Sequence, residues 1–144
     1  MFVDTNILVR HLTGDPPDQA ARATRFLAEA ENLLLPDLIV AELVYVLQSV
    51  YATARPDIAR TVRSVLAFEA IRVVDAELLQ RTVEVYEFDR LDFPEAYLVA
   101  CAERSGVGTI ASFDRSIDRI ATVRRIEPPR HGPAGATRST SWPS

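Results

Sequence analysis

The chain has 144 residues, of which 48% are hydrophobic, and its formal net charge is −4. This length fits one domain with its own core, and no stretch has the roughly 18 consecutive apolar residues that a membrane helix needs. All sixteen basic residues are arginines, which excludes mechanisms that depend on a lysine, and the negative charge disfavours a general nucleic-acid coat protein.

Neither the N-terminal sequence nor the cysteine content argues against the cytoplasm, and we expect a cytoplasmic protein. The first residues lack the basic and then apolar layout of a secretory signal. Cys101 is the single cysteine, so it has no partner for an internal disulfide. It lies in an apolar run, and we expect a packed thiol rather than a reactive one.

The first six residues, Met1 to Asn6, predict a strand that ends on an acid, Asp4, before an apolar helix. Open α/β sheets place their sites at the carboxyl ends of strands, which makes Asp4 a candidate site residue. Thr5 or Asn6 is expected to cap the helix through its side-chain oxygen. The alternative is that Asp4 is no more than a helix cap.

The next segment predicts a helix over 16–31 with Asp15 as its N-cap, and then a short buried strand at 33–35. Asp37 is expected to cap the following helix, over 38–52, which is apolar nearly all round and is therefore predicted to be buried. Glu42 lies in the middle of this helix. A carboxylate in such a setting needs a partner, because burying it alone is costly.

The middle of the chain predicts a helix over 55–70, a strand over 71–74 and an amphipathic helix over 76–88. Asp92 and Glu95 then begin another apolar helix. Asp92 has the position of an N-cap and Glu95 that of its capping-box partner. A purely structural role therefore remains open for both acids.

The last third predicts a strand over 109–112 that is followed by a second strand-end acid, Asp114, and an edge strand over 122–126. Residues 128–144 are rich in proline, glycine and serine. They are expected to form a disordered tail, because they offer too little apolar surface to offset their ordering entropy. Residues 1–127 are expected to form the folded domain.

Short β-like runs that alternate with helices predict an α/β fold of three layers, with a short parallel central sheet flanked by helices. Asp4 and Asp114 then lie at one edge of this sheet, and Glu42 and Glu95 belong to helices that border it. Four carboxylates without a histidine or cysteine cluster favour Mg²⁺ or Mn²⁺, which can activate a water for attack on a phosphodiester. A set of polar residues would hold the acids and waters in place: Thr5, Asn6 and Ser112.

This pattern resembles the PIN-domain ribonucleases and, in its length and its Asp-Thr-Asn-Ile-Leu-Val-Arg opening, the VapC-type toxins. The resemblance covers residues 1–127. It implies a metal-dependent endonuclease of single-stranded RNA, cytoplasmic, often a homodimer, and inhibited by a cognate antitoxin protein. The acids of the family fall on Asp4, Glu42, Glu95 and Asp114, with Asp4, Glu95 and Asp114 as metal ligands.

Two positions depart from the family pattern. The third acid is usually Asp and is here Glu95, so Asp92, three residues earlier, is an alternative ligand on the same side of the helix. Ser112 stands where the family commonly has Thr, and it keeps the hydroxyl group. Candidate contacts to an RNA phosphate are three arginines near the predicted acidic edge: Arg10, Arg115 and Arg119.

Two other classes of function share features with this pattern. Aspartyl-phosphate phosphatases and phosphoacceptor receiver domains also place an acid after the first strand, but they use a lysine that this chain lacks. A non-catalytic RNA-binding or interaction module with a degenerate metal site stays open. Its main support is Glu95 at the third position.

Overall fold

The computed structural model describes residues 1–130, which contain six α-helices and four short strands. The helices are α1 (Thr5–Thr13), α2 (Pro17–Glu29), α3 (Asp37–Ser49), α4 (Arg55–Leu66), α5 (Ala76–Glu84) and α6 (Phe93–Ser105). The strands are β1 (Leu33–Leu34), β2 (Ile71–Arg72), β3 (Thr109–Ala111) and β4 (Arg124–Ile126). Residues 131–144, most of the predicted tail, lie outside the described residues.

The strands pair in parallel, which confirms the predicted α/β class. β1 pairs with β2 and β3 pairs with β4, in two separate ladders. The predicted first strand is reduced to one parallel bridge between Phe2 and Leu34, with a further hydrogen bond from the Val3 amide to the Leu34 carbonyl at 3.1 Å. The chain enters α1 at Thr5, so there is no room for a longer strand.

The helix that carries Glu42 differs from the prediction of a buried helix. The buried side of α3 is a single stripe of Val40, Leu43, Val44 and Leu47. Its other side faces solvent, with Leu38 78% and Tyr45 67% exposed, and Glu42 is exposed as well. The prediction was wrong because apolar composition all round a helix does not say how many of its sides have a neighbour to pack against.

The helix caps also differ from the sequence prediction. Asp4 is itself the N-cap of α1, and its side chain accepts a hydrogen bond from the Thr5 amide, so neither Thr5 nor Asn6 has that role. Prolines take the N-cap positions of α2 and α3, one residue after Asp15 and one before Asp37. The C-caps of α1 and α6, Gly14 and Gly106, have the positive φ that glycine tolerates best.

The predicted helix over 76–88 changes character near its end. α5 stops at Glu84 and continues as a π-helical turn over Val85–Asp89. Arg90 follows with a φ of 61°, which ends the helix and turns the chain toward α6. Leu91 is fully buried after this turn, so the segment that leads to Asp92 is anchored in the core.

The core lies between the helices and the two ladders. Its largest fully buried side chains are Tyr86, Leu33, Leu35, Leu43, Ile58, Leu79, Leu91 and Ile117. Cys101 is half-buried rather than fully packed. In the described part of the chain, no helix has both the length and the apolar character to span a membrane.

Candidate active site

Asp4 and Glu42, from different helices, are connected through Thr5. The Asp4 side chain accepts a hydrogen bond from the Thr5 amide at 2.8 Å. The Thr5 hydroxyl, on a residue only 2% exposed, donates to Glu42 Oε2 at 2.9 Å. Thr5 therefore fixes one carboxylate through its backbone and another through its side chain. Asn6, the other predicted supporting residue here, is exposed.

Asp92 and Glu95 lie at the start of α6. Asp92 occupies the N-cap position, but its side chain makes no capping hydrogen bond and is exposed. The predicted reciprocal capping box is therefore not formed. Glu95 is half-buried in the first helical turn, where the free amides of a helix N-terminus favour negative charge.

Asp114 follows β3 and begins a 3₁₀ turn over Arg115–Arg119. Asp114 Oδ1 accepts a hydrogen bond from the Ser116 amide at 2.9 Å, and the Asp114 amide donates to Ser112 Oγ at 2.9 Å. The pKa of Asp114 is lowered, first by hydrogen bonds from the Ser116 side chain and amide and then by the nearby charges of Arg119 and Arg125. Asp114 is therefore ionised at neutral pH, as a metal ligand must be.

Two contacts connect the segments that carry these acids. The Tyr97 hydroxyl, on α6, donates to Asp37 Oδ2 on α3 at 2.6 Å. This hydrogen bond raises the pKa of Tyr97, and the other Asp37 oxygen is buried without a partner among residues 1–130. Arg119, in the turn after Asp114, donates to the Asp89 carbonyl at 3.2 Å, just before the Asp92 segment.

The loop before α6 is held by a residue that the sequence did not single out. Arg55 Nη1 donates to the carbonyls of Tyr86 and Leu91 at 2.8 and 2.7 Å, and its guanidinium lies 4.4 Å from the centre of the Tyr86 ring. Gln48 donates to the Tyr86 hydroxyl at 2.6 Å. The sequence around Arg55 did not indicate this role, because the carbonyls that it binds are more than thirty residues away.

The predicted acids do not form one preassembled cluster. Across residues 1–130, no three or more Asp, Glu, His or Cys side chains lie in an arrangement that could hold a metal ion. Asp4 and Glu42 are linked through Thr5, whereas Asp114 has its own hydrogen bonds on the β3–β4 side. The donor chemistry still fits a hard divalent ion, because every candidate is a carboxylate oxygen.

The three candidate phosphate-binding arginines have different surroundings. Arg10 is half-buried and donates to Gln19 Oε1 at 3.0 Å and to the Asp15 carbonyl at 3.3 Å. The contact from Arg119 to a carbonyl gives that residue a structural role. Arg115 is exposed and lines a surface depression beside Phe113.

Comparison with known proteins places the chain in a family. A family model described as PIN domain matches residues 1–123, a range that contains Asp4, Glu42, Glu95 and Asp114. A VapC ribonuclease from Aquifex aeolicus (strain VF5) is 25% identical over 123 residues, which cover 83% of this chain and 90% of that protein.

Proposed function

Because the chain belongs to the PIN-domain family, we propose that it is a metal-dependent endoribonuclease that cleaves single-stranded RNA and acts as the toxin of a type II toxin–antitoxin pair. The observation that carries this proposal is the Thr5–Glu42 hydrogen bond, which ties an acid in α3 to the strand-end acid Asp4. A helix cap alone has no need of a second, exposed carboxylate held by a buried hydroxyl.

The ion would be held by Asp4, Glu95 and Asp114, with Asp92 as the alternative to Glu95. When bound, Mg²⁺ or Mn²⁺ would activate a water and neutralise charge on the leaving oxygen of the phosphodiester. No lysine and no side-chain nucleophile is needed for this chemistry. A carboxylate set supported by hydroxyl and amide donors is suited to a hard ion.

The chain's own groups would orient the reacting water and the acids. Thr5 occupies Oε2 of Glu42, which leaves Oε1 free to accept a hydrogen bond from a water. Ser116 similarly holds Asp114, because its amide donates to Oδ1. Ser112 holds the backbone of Asp114 in place through its hydroxyl oxygen.

The partners follow from the same proposal. The substrate would be cellular RNA, the inhibitor a cognate antitoxin protein, and the compartment the cytoplasm. A homodimer is expected from the family resemblance, and the exposed side of α3 around Leu38 and Tyr45 offers apolar surface for a protein contact.

Cleavage of a labelled single-stranded RNA tests the proposal. We expect cleavage with Mg²⁺ or Mn²⁺, none in excess EDTA, and recovery when the ion is restored. The matched variant Asp4→Asn should be inactive but equally or more stable, because Asn keeps the N-cap acceptor while one acidic charge is removed. Full activity after complete removal of metal would contradict the mechanism.

The non-catalytic alternative is favoured by two observations, Glu95 in place of the usual Asp and the separated carboxylates. It predicts RNA binding without cleavage and no specific Mn²⁺ site. A Mn²⁺ titration of wild type beside Asp114→Asn separates the two functions. A single saturable site that weakens in the variant supports the nuclease, and equal weak binding by both proteins supports the alternative.

A further inference from the structure

A groove between α1 and α2 begins next to the candidate active site. It has a volume of about 480 Å³ and is open to solvent. Asn6, two residues after Asp4, lines it, so the groove leads away from the strand-end acid. Two of its lining residues, Asn6 and Arg10, are four positions apart on α1 and therefore lie on the same side of that helix. The same spacing places Arg22 and Phe26 on one side of α2.

The groove is positively charged although the whole protein is acidic. Arg10 and Arg22 both line it, and none of its lining residues is an acid. Gln19 and the Asp15 carbonyl hold Arg10 in position through its Nε and Nη1. Arg22 is exposed and has no ion pair or side-chain hydrogen bond within residues 1–130, so its charge is available to a ligand.

An aromatic ring completes this arrangement. Phe26 lines the groove on α2 and is 37% exposed, although a large apolar side chain gains from burial. Guanidinium groups that bind phosphate, beside an aromatic face on which a base can stack, are the means by which proteins hold single-stranded nucleic acid. Ile7 and Ala23 give the groove an apolar floor.

We propose that this α1–α2 groove binds a nucleotide unit of single-stranded RNA next to the phosphodiester that is cleaved. Arg10 and Arg22 bind a backbone phosphate, Phe26 stacks on a base, and the amides of Asn6 and Gln19 reach polar groups of the nucleotide. The inference rests on the proposed ribonuclease function, since it adds a substrate subsite to that active site. An acidic peptide would satisfy the arginines but would leave the Phe26 ring without a stacking partner.

Fluorescence anisotropy with a short labelled polyuridylate tests the groove in EDTA, where binding is measured without cleavage. We expect Arg22→Gln to weaken binding several-fold and to reduce the slope of log affinity against log salt by about 0.7, the value for one phosphate contact on a single strand. Phe26→Leu should weaken binding about tenfold at every salt concentration. Arg25→Gln is the matched control, because Arg25 is exposed on the same helix but does not line the groove.

Thermal melting is the control for folding, and we expect Arg22→Gln and Phe26→Leu to remain folded because both side chains are exposed. Equal affinities for Arg22→Gln, Phe26→Leu and Arg25→Gln would overturn the inference. An oligoglutamate peptide that displaces the RNA and binds equally well to Phe26→Leu would also overturn it, because the groove would then be a protein-docking surface.

The inference and the proposed function fail in different ways. RNA binding that weakens in the groove variants, in a protein that never cleaves RNA with any metal, supports the subsite and refutes the nuclease. Metal-dependent cleavage with unchanged RNA affinity in both groove variants supports the nuclease and refutes the subsite.

Discussion

Thr5 has a place in the core of the fold and also contacts one of the candidate catalytic acids. It is buried, it begins α1, and its hydroxyl is the only side-chain donor that the described residues offer to Glu42. Thr5 was predicted as a possible helix cap and as a residue that supports the acids, and the structure pairs its hydroxyl with a carboxylate on another helix. The sequence contained no pairing signal, since the two residues are 37 positions apart.

Replacing Thr5 tests this orientation. Thr5→Val keeps the side-chain volume but removes the donor, whereas Thr5→Ser keeps the donor and loses a methyl group. We expect Thr5→Val to slow RNA cleavage by about tenfold to a hundredfold, the loss of roughly 1.4 to 2.7 kcal/mol of transition-state stabilisation, with little change in melting temperature because Glu42 is solvated. Thr5→Ser should retain most of the rate, and equal rates for both variants would contradict the role.

Asp92 and Glu95 differ in ways that bear on which of them is the third ligand. Asp92 is exposed and makes no capping hydrogen bond, so its side chain contributes little to the stability of α6. Glu95 is half-buried at the same helix end. The family resemblance assigns the third acid to its position, and its side chain is one methylene longer than that of the usual Asp.

We predict that substitutions of these two acids affect the rate of RNA cleavage very differently. Glu95→Gln should lower the cleavage rate by two orders of magnitude or more, roughly a few kcal/mol of transition-state stabilisation. Asp92→Asn should do far less kinetic damage and change the free energy of unfolding by no more than about 0.5 kcal/mol. Cleavage rates of the two variants at saturating Mn²⁺, compared with their melting temperatures, show which acid is the ligand. An inactive Asp92→Asn with an active Glu95→Gln would mean that Asp92 is the ligand.

At the scale of elements, the π-helical turn and the loop to α6 determine where Glu95 lies. The turn is followed by Arg90, which has a positive φ. Arg55 from α4 donates to the Tyr86 carbonyl within the turn and to the Leu91 carbonyl after it. Phe93 packs edge-on against Tyr86 with 5.7 Å between ring centres. The candidate ligand is thus placed by contacts from two other elements rather than by its own helix alone.

Arg55→Lys should loosen this loop. A lysine keeps the charge but cannot stack its ammonium as a planar guanidinium does or reach both carbonyls in the same geometry. We expect the free energy of unfolding to fall by about 1–3 kcal/mol and amide exchange over residues 85–95 to accelerate. The control is Arg60→Lys, because Arg60 lies on the same helix with its side chain 74% exposed. Similar rates of amide exchange over residues 85–95 in Arg55→Lys and Arg60→Lys would refute the role of Arg55.

The order and type of the elements could be predicted from sequence better than their surroundings. Helix α6 and the strands β3 and β4 were predicted from the apolar runs of the sequence, and the structure confirms them. The exposure of Glu42 and the proline caps could not be predicted, because they depend on which neighbour covers each side of a helix. Family membership was predicted from spaced acids, and the match over residues 1–123 confirms it.

The candidate site was less predictable than the fold. Local motifs identified Asp4 and Asp114 as strand-end acids, and both do follow the ends of parallel pairing. Motifs could not supply the contacts between segments, such as Tyr97 with Asp37 or Arg119 with the Asp89 carbonyl. These depend on side-chain reach across helices that are distant in sequence. The roles of the acids, and residues 1–127 as the folding unit, stay predictions.

At the scale of the whole molecule, one carboxylate ties the β4 side of the fold to the helices. Glu103, on α6, accepts a bidentate pair of hydrogen bonds from Arg81 on α5, at 3.0 Å to each oxygen. Thr122, just before β4, donates to the same carboxylate at 2.9 Å. The Glu103 side chain is 22% exposed, so these interactions are partly shielded from solvent.

This network predicts how the fold responds to acid. The hydrogen bonds from Arg81 hold the pKa of Glu103 below its ordinary value of 4.5. The unfolded chain therefore takes up this proton at a higher pH than the native state does. The stability from Glu103 is complete above about pH 4.5 and is lost as the pH falls through the lower native pKa.

Urea denaturation of wild type and Glu103→Gln across pH 3 to 7 (about the range in which carboxylates titrate) measures this contribution. We expect the variant to be less stable at neutral pH by about 1–2 kcal/mol, and the difference to shrink toward pH 3 as wild type loses its ion pair. Glu77→Gln is the matched control, because it removes one acid whose side chain is 80% exposed and paired with the exposed Arg104. A constant gap between wild type and Glu103→Gln at every pH would show that the loss is one of packing rather than of charge. The contact of Glu103 with Thr122 would then be the part of the network that holds the β4 side of the molecule to α6.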